Sequence, residues 1–368
     1  DAATGKYLNP EDNWATKVAW RTTFGNGTVL DFTWDHEVVD QLARPAIGVV
    51  PMFGPADGPY TPPFPAKDYT DTYLNPKTVP VYNDVVNNNE QRTFDGFTLQ
   101  LYHSFEWASA TYSASYRSFD TSNREDEDGT NHTATYLDTE NVETNSSFYQ
   151  ELKFNGYAGS VDWVAGISYS TEDATQTSYV NAFTNSINTL YNNTIGFPLF
   201  DTMQAPLGGA FVGFGLPAVP GVNVFGLPWS EPMYNQGDFS SGAVFGDAIW
   251  HVNDKLNLTF GIRYTKDKKE FSWLTQNRQA PQLDATLGFL TSIGWLQGYY
   301  QILDTIDPAL SSLYTSNVIL RQYQDLNGIT VKQKNSWSDI SPRFVVDYKI
   351  SDEIMLWGSY TNGYKAGG

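Results

Sequence analysis

The chain has 368 residues and a formal net charge of −19, which excludes the basic face that nucleic-acid binding requires. It has no Cys, so disulfide frameworks and thiol chemistry are excluded too. Aromatic residues make up 15% of it, led by 23 Tyr and 22 Phe, as the aromatic girdles of a membrane sheet would demand.

No window approaches the roughly 18 consecutive apolar residues of a transmembrane helix. Mean hydropathy is −0.39, as expected where inward polar residues dilute every strand. The opening DAATGKYLNP is not a signal peptide and reads as the start of an internal or processed piece.

The first hairpin is expected at Asn13–Phe24, a turn at Gly25-Asn26-Gly27, and Thr28–Val39. Leu30, Phe32 and Trp34 alternate there with Asp31, Thr33 and Asp35, which is the period of a half-apolar strand. A short Gly-rich link between alternating runs is a hairpin signal. The second hairpin is Phe94–Phe105, a turn at Glu106–Ala108, and Ser109–Phe119. The third is Ser147–Gly156, a turn at Tyr157–Gly159, and Ser160–Ser170, with Val161, Trp163, Ala165, Ile167 and Tyr169 on its apolar face. The fourth is Ser241–His251, a turn at Val252–Lys255, and Leu256–Glu270. Its second strand alternates most clearly: Leu258, Phe260, Ile262 and Tyr264 against Thr259, Gly261, Arg263 and Thr265. The register of its first strand stays open at Ala243–Gly246. The fifth is Trp337–Ile350, a turn at Ser351–Glu353, and Ile354–Lys365, with Pro342 expected near the strand start or at an edge.

Loops fall at about 40–92, 121–146, 172–239 and 271–336, all on one side, and tight turns close the other side. In the last loop Leu287, Leu290, Ile293, Leu296 and Tyr300 recur at helical spacing, so a short helix or two is expected there. The pattern is all-β: a transmembrane antiparallel β-barrel with short periplasmic turns and long extracellular loops.

Three stretches carry a family resemblance. They are SFYQELKFNGYAGSVDWVAGISY (Ser147–Tyr169), VFGDAIWHVNDKLNLTFGIRYTKDK (Val244–Lys268), and SPRFVVDYKISDEIMLWGSYTNGYKAGG within Trp337–Gly368. They resemble TonB-dependent outer-membrane receptors of the siderophore-receptor kind. The resemblance implies a roughly 22-stranded barrel around a plug domain. It also implies a plug that ligates TonB through a short box, and substrate held between plug and loops until proton-motive force releases it inward. Against that pattern the chain shows no plug, no TonB box and no terminal aromatic strand. Residues 1–368 are therefore expected to be a single β-barrel domain that is only the central part of the barrel.

No catalytic constellation is present, and GxSxG, HExxH and Walker-type motifs are absent. His36, His103, His132 and His251 are scattered and expected to be interfacial or lumen residues. The run Glu125–Asp128, with Gly129 and Asn131, offers carboxylates to calcium but lacks EF-hand spacing, so a solvated loop without metal is expected. No cofactor is implied; calcium and lipopolysaccharide are the only bound species left open.

The apolar segment Leu207–Trp229, with Phe211, Phe214 and Phe225, is a lid over the barrel mouth or a partner-docking loop, unless it packs against neighbouring loops. Trp229, Tyr234, Trp273 and Tyr299 are candidate stacking contacts for a siderophore or sugar, the alternative being girdle or loop-core residues. Arg21, Arg117, Arg263 and Arg343, with Asp31, Asp162 and Asp347, fall on the polar strand face, which lines the lumen. The resemblance implies that they touch the plug or one another.

The expected function is import of a scarce nutrient, a ferric siderophore or similar iron complex, across the outer membrane of a Gram-negative bacterium. The partners expected are outer-membrane lipid and lipopolysaccharide, the iron chelate, TonB through a plug outside this chain, and other outer-membrane proteins. The alternative is a structural, partner-docking barrel in an outer-membrane assembly. A general porin and an enzyme fit the pattern less well.

Overall fold

A computed structural model describes residues 11–46, 81–130, 132–210, 212–320 and 327–367. Ten strands form one sheet, each antiparallel to its neighbours in the chain. They are β1 (Asn13–Thr23), β2 (Val29–Gln41), β3 (Asn89–Ser104), β4 (Ser109–Asp126), β5 (Leu137–Ala158), β6 (Val161–Phe183), β7 (Pro228–Asn253), β8 (Leu256–Thr275), β9 (Val331–Lys349) and β10 (Met355–Thr361). Among the described residues β1 and β10 do not pair with each other, so the sheet is an open arc.

Alternation decides which face meets lipid. Phe260 lies opposite Phe344 on one side and Ala248 on the other, and Ala165 lies opposite Phe154. Phe260, Ile262, Tyr264, Ile167, Tyr169, Val244 and Trp250 are exposed on this outer face. On β8 the outward series turns from Tyr264 to Lys266, Lys268 and Glu270, which marks the upper limit of the apolar band. Near the tight turns Trp107 stacks on Phe154 at 6.1 Å and on Trp163 at 6.2 Å, a periplasmic-side aromatic girdle.

The register left open in the fourth hairpin is resolved. Val244 faces outward opposite Tyr264, and Phe245 faces inward with the Arg263 guanidinium 5.3 Å from its ring. Phe245 lies across from Gly166, where an added Cβ would come within 2.6 Å of the ring. The third turn is two residues, Gly159-Ser160, one step later than expected, and Gly159 takes a positive φ of 62°. Pro342 lies mid-strand, not near the start, because β9 begins at Val331. Its carbonyl accepts the Asn362 N–H at 3.1 Å. Both backbone groups of a residue point to one side in an antiparallel strand, so the missing donor faces the point where β10 ends.

The strands also outrun their expected ends. β5, β6 and β7 have 22, 23 and 26 residues, roughly twice the ~9–11 of a tilted crossing. Above the membrane β5 and β6 carry mainly polar residues on both faces, so the apolar alternation stops while the pairing continues. Side chains tie that extension: Thr144 to Thr175 at 2.6 Å, Ser178 to Asn141 at 2.7 Å, Asn145 to Glu172 at 2.9 Å. The β4–β5 loop shrinks to 127–136 and the β6–β7 loop to 184–227.

Four helices fill the two longest described loops: α1 (Thr184–Ile195) and α2 (Leu199–Leu207) between β6 and β7, α3 (Pro281–Ser292) and α4 (Trp295–Asp304) between β8 and β9. The helical spacing read in the last loop is realised. Leu287, Leu290 and Leu296 are buried, while Ile293 ends α3 on the surface.

Candidate functional site

The two helical loops form a single cap. Its core joins Ile187, Leu199, Phe200 and Met203 from one loop, with Trp229 at the start of β7, to Leu283, Leu290, Tyr299, Leu303 and Tyr314 from the other. Trp229 lies opposite Ala182 on the inward-facing register of β6 and β7, so the cap rests on the inner side of their extension. Several polar contacts fix it. Buried Asn188, on α1, accepts the N–H groups of Phe200 at 2.7 Å and Asp201 at 3.1 Å and so caps α2, whose own N-cap is Pro198. The Tyr314 hydroxyl donates to the Leu199 carbonyl at 2.6 Å and pairs with the Tyr299 hydroxyl at 2.8 Å. The Arg278 guanidinium lies 4.6 Å over the Trp229 ring and donates to the Tyr314 carbonyl at 2.6 Å.

This arrangement corrects several expectations. Trp229 and Tyr299 are each 1% exposed, so both rings are loop core with no face open to a ligand. Leu207, Leu216 and Val224 are buried, and Phe225 packs against the same core, so these side chains anchor Leu207–Trp229 to the cap, while Val212, Pro217, Ala218 and Pro220 stay exposed. Phe211 lies outside the described residues, and for Phe214 only its backbone, in a 3-10 turn, is described. Tyr234 takes the outward register of β7 opposite Leu274, whereas Trp273 takes the inward register of β8 opposite Asn235. Trp273 and Phe271 form an inward aromatic pair with centroids 5.9 Å apart.

Below the cap the inner wall carries a cavity of about 470 Å³ lined by Arg117, Tyr149, Glu172, Phe239, Asp267 and Lys269 among others. Glu172 accepts the Asn145 amide at 2.9 Å, and Lys269 lies 5.8 Å from the Trp337 ring. Arg117 has no ion-pair partner among the described residues. All seven charged residues expected in the lumen take the inward register. Arg21 pairs with Asp31 at 2.6 Å, Asp162 with His251 at 2.9 Å, and Arg343 with Asp247 at 3.3 Å. Sequence reasoning passed over Lys269 and Phe239, because both lie beyond the clear apolar alternation. A second cavity, about 340 Å³, separates α1 from the β4–β5 loop and is lined by Tyr136, Leu137, Ala182, Ile187 and Ile319.

The acidic run is not a solvated loop. Asp126 is 4% exposed and Asp128 7%, and Asp84 joins them from the segment that leads into β3. Asn131 lies outside the described residues. No described His belongs to a group of potential metal ligands.

An antiparallel arc with lipid-facing alternation, tight turns at one end and structured loops at the other is what a sequence comparison finds as well. The family model described as TonB-dependent receptor-like β-barrel matches residues 33–368. The chain belongs to that family. As a TonB-dependent receptor barrel it resides in the outer membrane, in a family that transports rather than catalyses. No curated protein matches the chain. Among solved structures, it is similar in fold to the ferric yersiniabactin uptake receptor FyuA from Yersinia pestis. The identity is 11% and the TM-score 0.52, over 95% of this chain and 37% of that one. It is also similar to the ferric-catecholate import receptor Fiu from E. coli K12, at 12% identity and TM-score 0.53, over 98% of this chain and 44% of that one. The chain thus spans less than half the length of either structure.

Proposed function

We propose that this barrel belongs to a receptor that imports an iron chelate of the ferric siderophore type, with TonB acting through a plug domain enclosed by the barrel. The observation that carries the reading is the inner-wall cavity under the cap. Arg117 and Lys269 bring two cations to it beside the carboxylates Glu172 and Asp267, and Tyr149 and Phe239 bring two aromatic rings. An anionic, aromatic chelate suits that lining: charges act strongly in a partly enclosed site and ring faces stack. Trp273 and Phe271, inward on β8 above the cavity, are the remaining aromatic contacts. Tyr234, on the outward register, serves the loop wall instead.

The test is binding of ferric chelates to the purified full-length receptor, followed by quenching of intrinsic fluorescence. R117E and K269E should each weaken the bound chelate by about tenfold, the loss of one partly desolvated charge contact. Unchanged affinity in the double variant would remove the wall cavity from the binding site.

A further inference from the structure

Three aspartates from two separate segments converge above the outer face of the sheet. One carboxylate oxygen from each of Asp84, Asp126 and Asp128 lies within 4.8 Å of the others. The protein satisfies only one side of two of these groups. Asp126 Oδ1 accepts the N–H groups of Asp128 and Gly129, both at 3.1 Å. Asp128 Oδ2 accepts the hydroxyls of Thr130 and Thr135, the latter at 2.7 Å. The other oxygens, Asp126 Oδ2 and Asp128 Oδ1, are buried and have no donor, and Asp84 Oδ1 is in the same position.

Among the described residues no side-chain cation forms an ion pair with them. Arg124, the nearest guanidinium in sequence, is taken by Asp138 through two hydrogen bonds of 2.9 Å each. Buried carboxylates without a counter-charge are strongly unfavourable, and each unmet acceptor adds to that. Acceptor-only oxygens on neighbouring side chains are reconciled by a shared cation.

We propose that Asp84, Asp126 and Asp128 hold one Ca²⁺ ion that clamps the segment leading into β3 to the β4–β5 loop. The donor set is all carboxylate oxygen, which suits a hard cation and not zinc or copper. Calcium takes about 6–8 oxygens in adaptable geometry, so backbone carbonyls and water complete the shell. Magnesium demands a tighter octahedron and gives up its water reluctantly, so it fits this set less well. The clamp already has one protein strut, the Val86 N–H donating to the Tyr136 hydroxyl at 3.3 Å. Tyr136 also lines the apolar cavity beside α1, so the ion would set the position of one wall of that cavity.

The test uses the full-length receptor in detergent, stripped with EDTA and titrated with Ca²⁺ by calorimetry. One ion per barrel is expected, with affinity in the ~10⁻⁴–10⁻³ M range of extracellular calcium modules. D84N and D126N keep the side-chain volume, and each should weaken binding by about tenfold or more. Hydrogen exchange on the wild type supplies a readout independent of variant folding: Ca²⁺ should slow exchange at 83–86 and 127–136. Wild-type receptor that binds no Ca²⁺, or shows no slowing at those segments, overturns the proposal. So does a double variant, D84N with D126N, that binds Ca²⁺ as the wild type does.

Discussion

Glu231 at the top of β7 accepts the backbone N–H of Val318, 87 residues later in the chain, at 2.6 Å. The same carboxylate, 0% exposed, takes the N–H groups of Ile319 at 3.0 Å and Leu320 at 2.7 Å and the Trp229 indole at 2.9 Å. A buried anion is tolerated here because oriented donors surround it. This knot joins the β8–β9 loop to β7 and so holds the two halves of the cap together.

Replacing Glu231 by Ala leaves the buried N–H of Val318 and the part-buried N–H groups of Ile319 and Leu320 without their acceptor. We expect E231A to destabilise the cap by about 3–5 kcal/mol, the range for breaking a buried charged network. Hydrogen exchange should rise at 318–320 and around Trp229. The barrel itself, read by heat-modifiable migration on gels, should be unaffected. Retained protection at 318–320 would show that the knot is not what joins the loops.

Deleting Gly208–Gly226 removes Leu216 and Val224 from the cap core. The expected outcome is a collapsed cap, seen as rapid proteolysis within 184–227 and 276–320, with barrel assembly spared. A deletion variant whose cap stays protease-resistant would restore the view of this segment as a detachable lid.

Burial pushes the Tyr300 phenol up to about 12, and Tyr314 is raised in the same direction by burial and by Tyr299. The folded cap therefore holds protons that the unfolded chain gives up near pH ~10. Stability from this cluster is fully present below that pH and falls as pH climbs toward 12. Phenolate absorbance should show these tyrosines ionising together with cap unfolding. Smooth titration of all the tyrosines near pH ~10, with the cap intact, would contradict it.

Gly166 lies against Phe245 and the Leu152 carbonyl, which an added Cβ would approach to 2.6 Å and 2.9 Å. G166V must displace an aromatic ring packed under Arg263, so a loss of about 1–3 kcal/mol is expected. The heat-modification temperature of the barrel should fall, and an unchanged value would mean that Phe245 swings aside freely.

The membrane portion was legible in the sequence because lipid enforces its pattern. Leu258, Phe260, Ile262 and Tyr264 must face outward, and Arg263 cannot, so period two survives wherever hydrocarbon touches the strand. The cap was less legible. Trp229 and Tyr299 look alike as ligand contacts and as core, and only the tertiary packing of two loops separated in sequence places them inside. The strand extensions above the membrane were missed because polar residues on both faces erase the alternation that marks a strand. The acidic cluster was half legible: Asp126 and Asp128 stand in one run, while Asp84 reaches them only through the fold. Phe239 was missed with the extension it stands on, whereas Lys269 lies inside the expected strand Leu256–Glu270 but past the apolar alternation that ends at Tyr264.

The most direct test of the account is uptake of ⁵⁵Fe-labelled chelates by cells carrying or lacking the gene, with the complemented strain alongside. The account predicts that import of at least one ferric siderophore is lost on deletion, is restored by complementation, and depends on TonB. Undiminished import of every iron chelate tested, with loss of a surface protein assembly in its place, would contradict it.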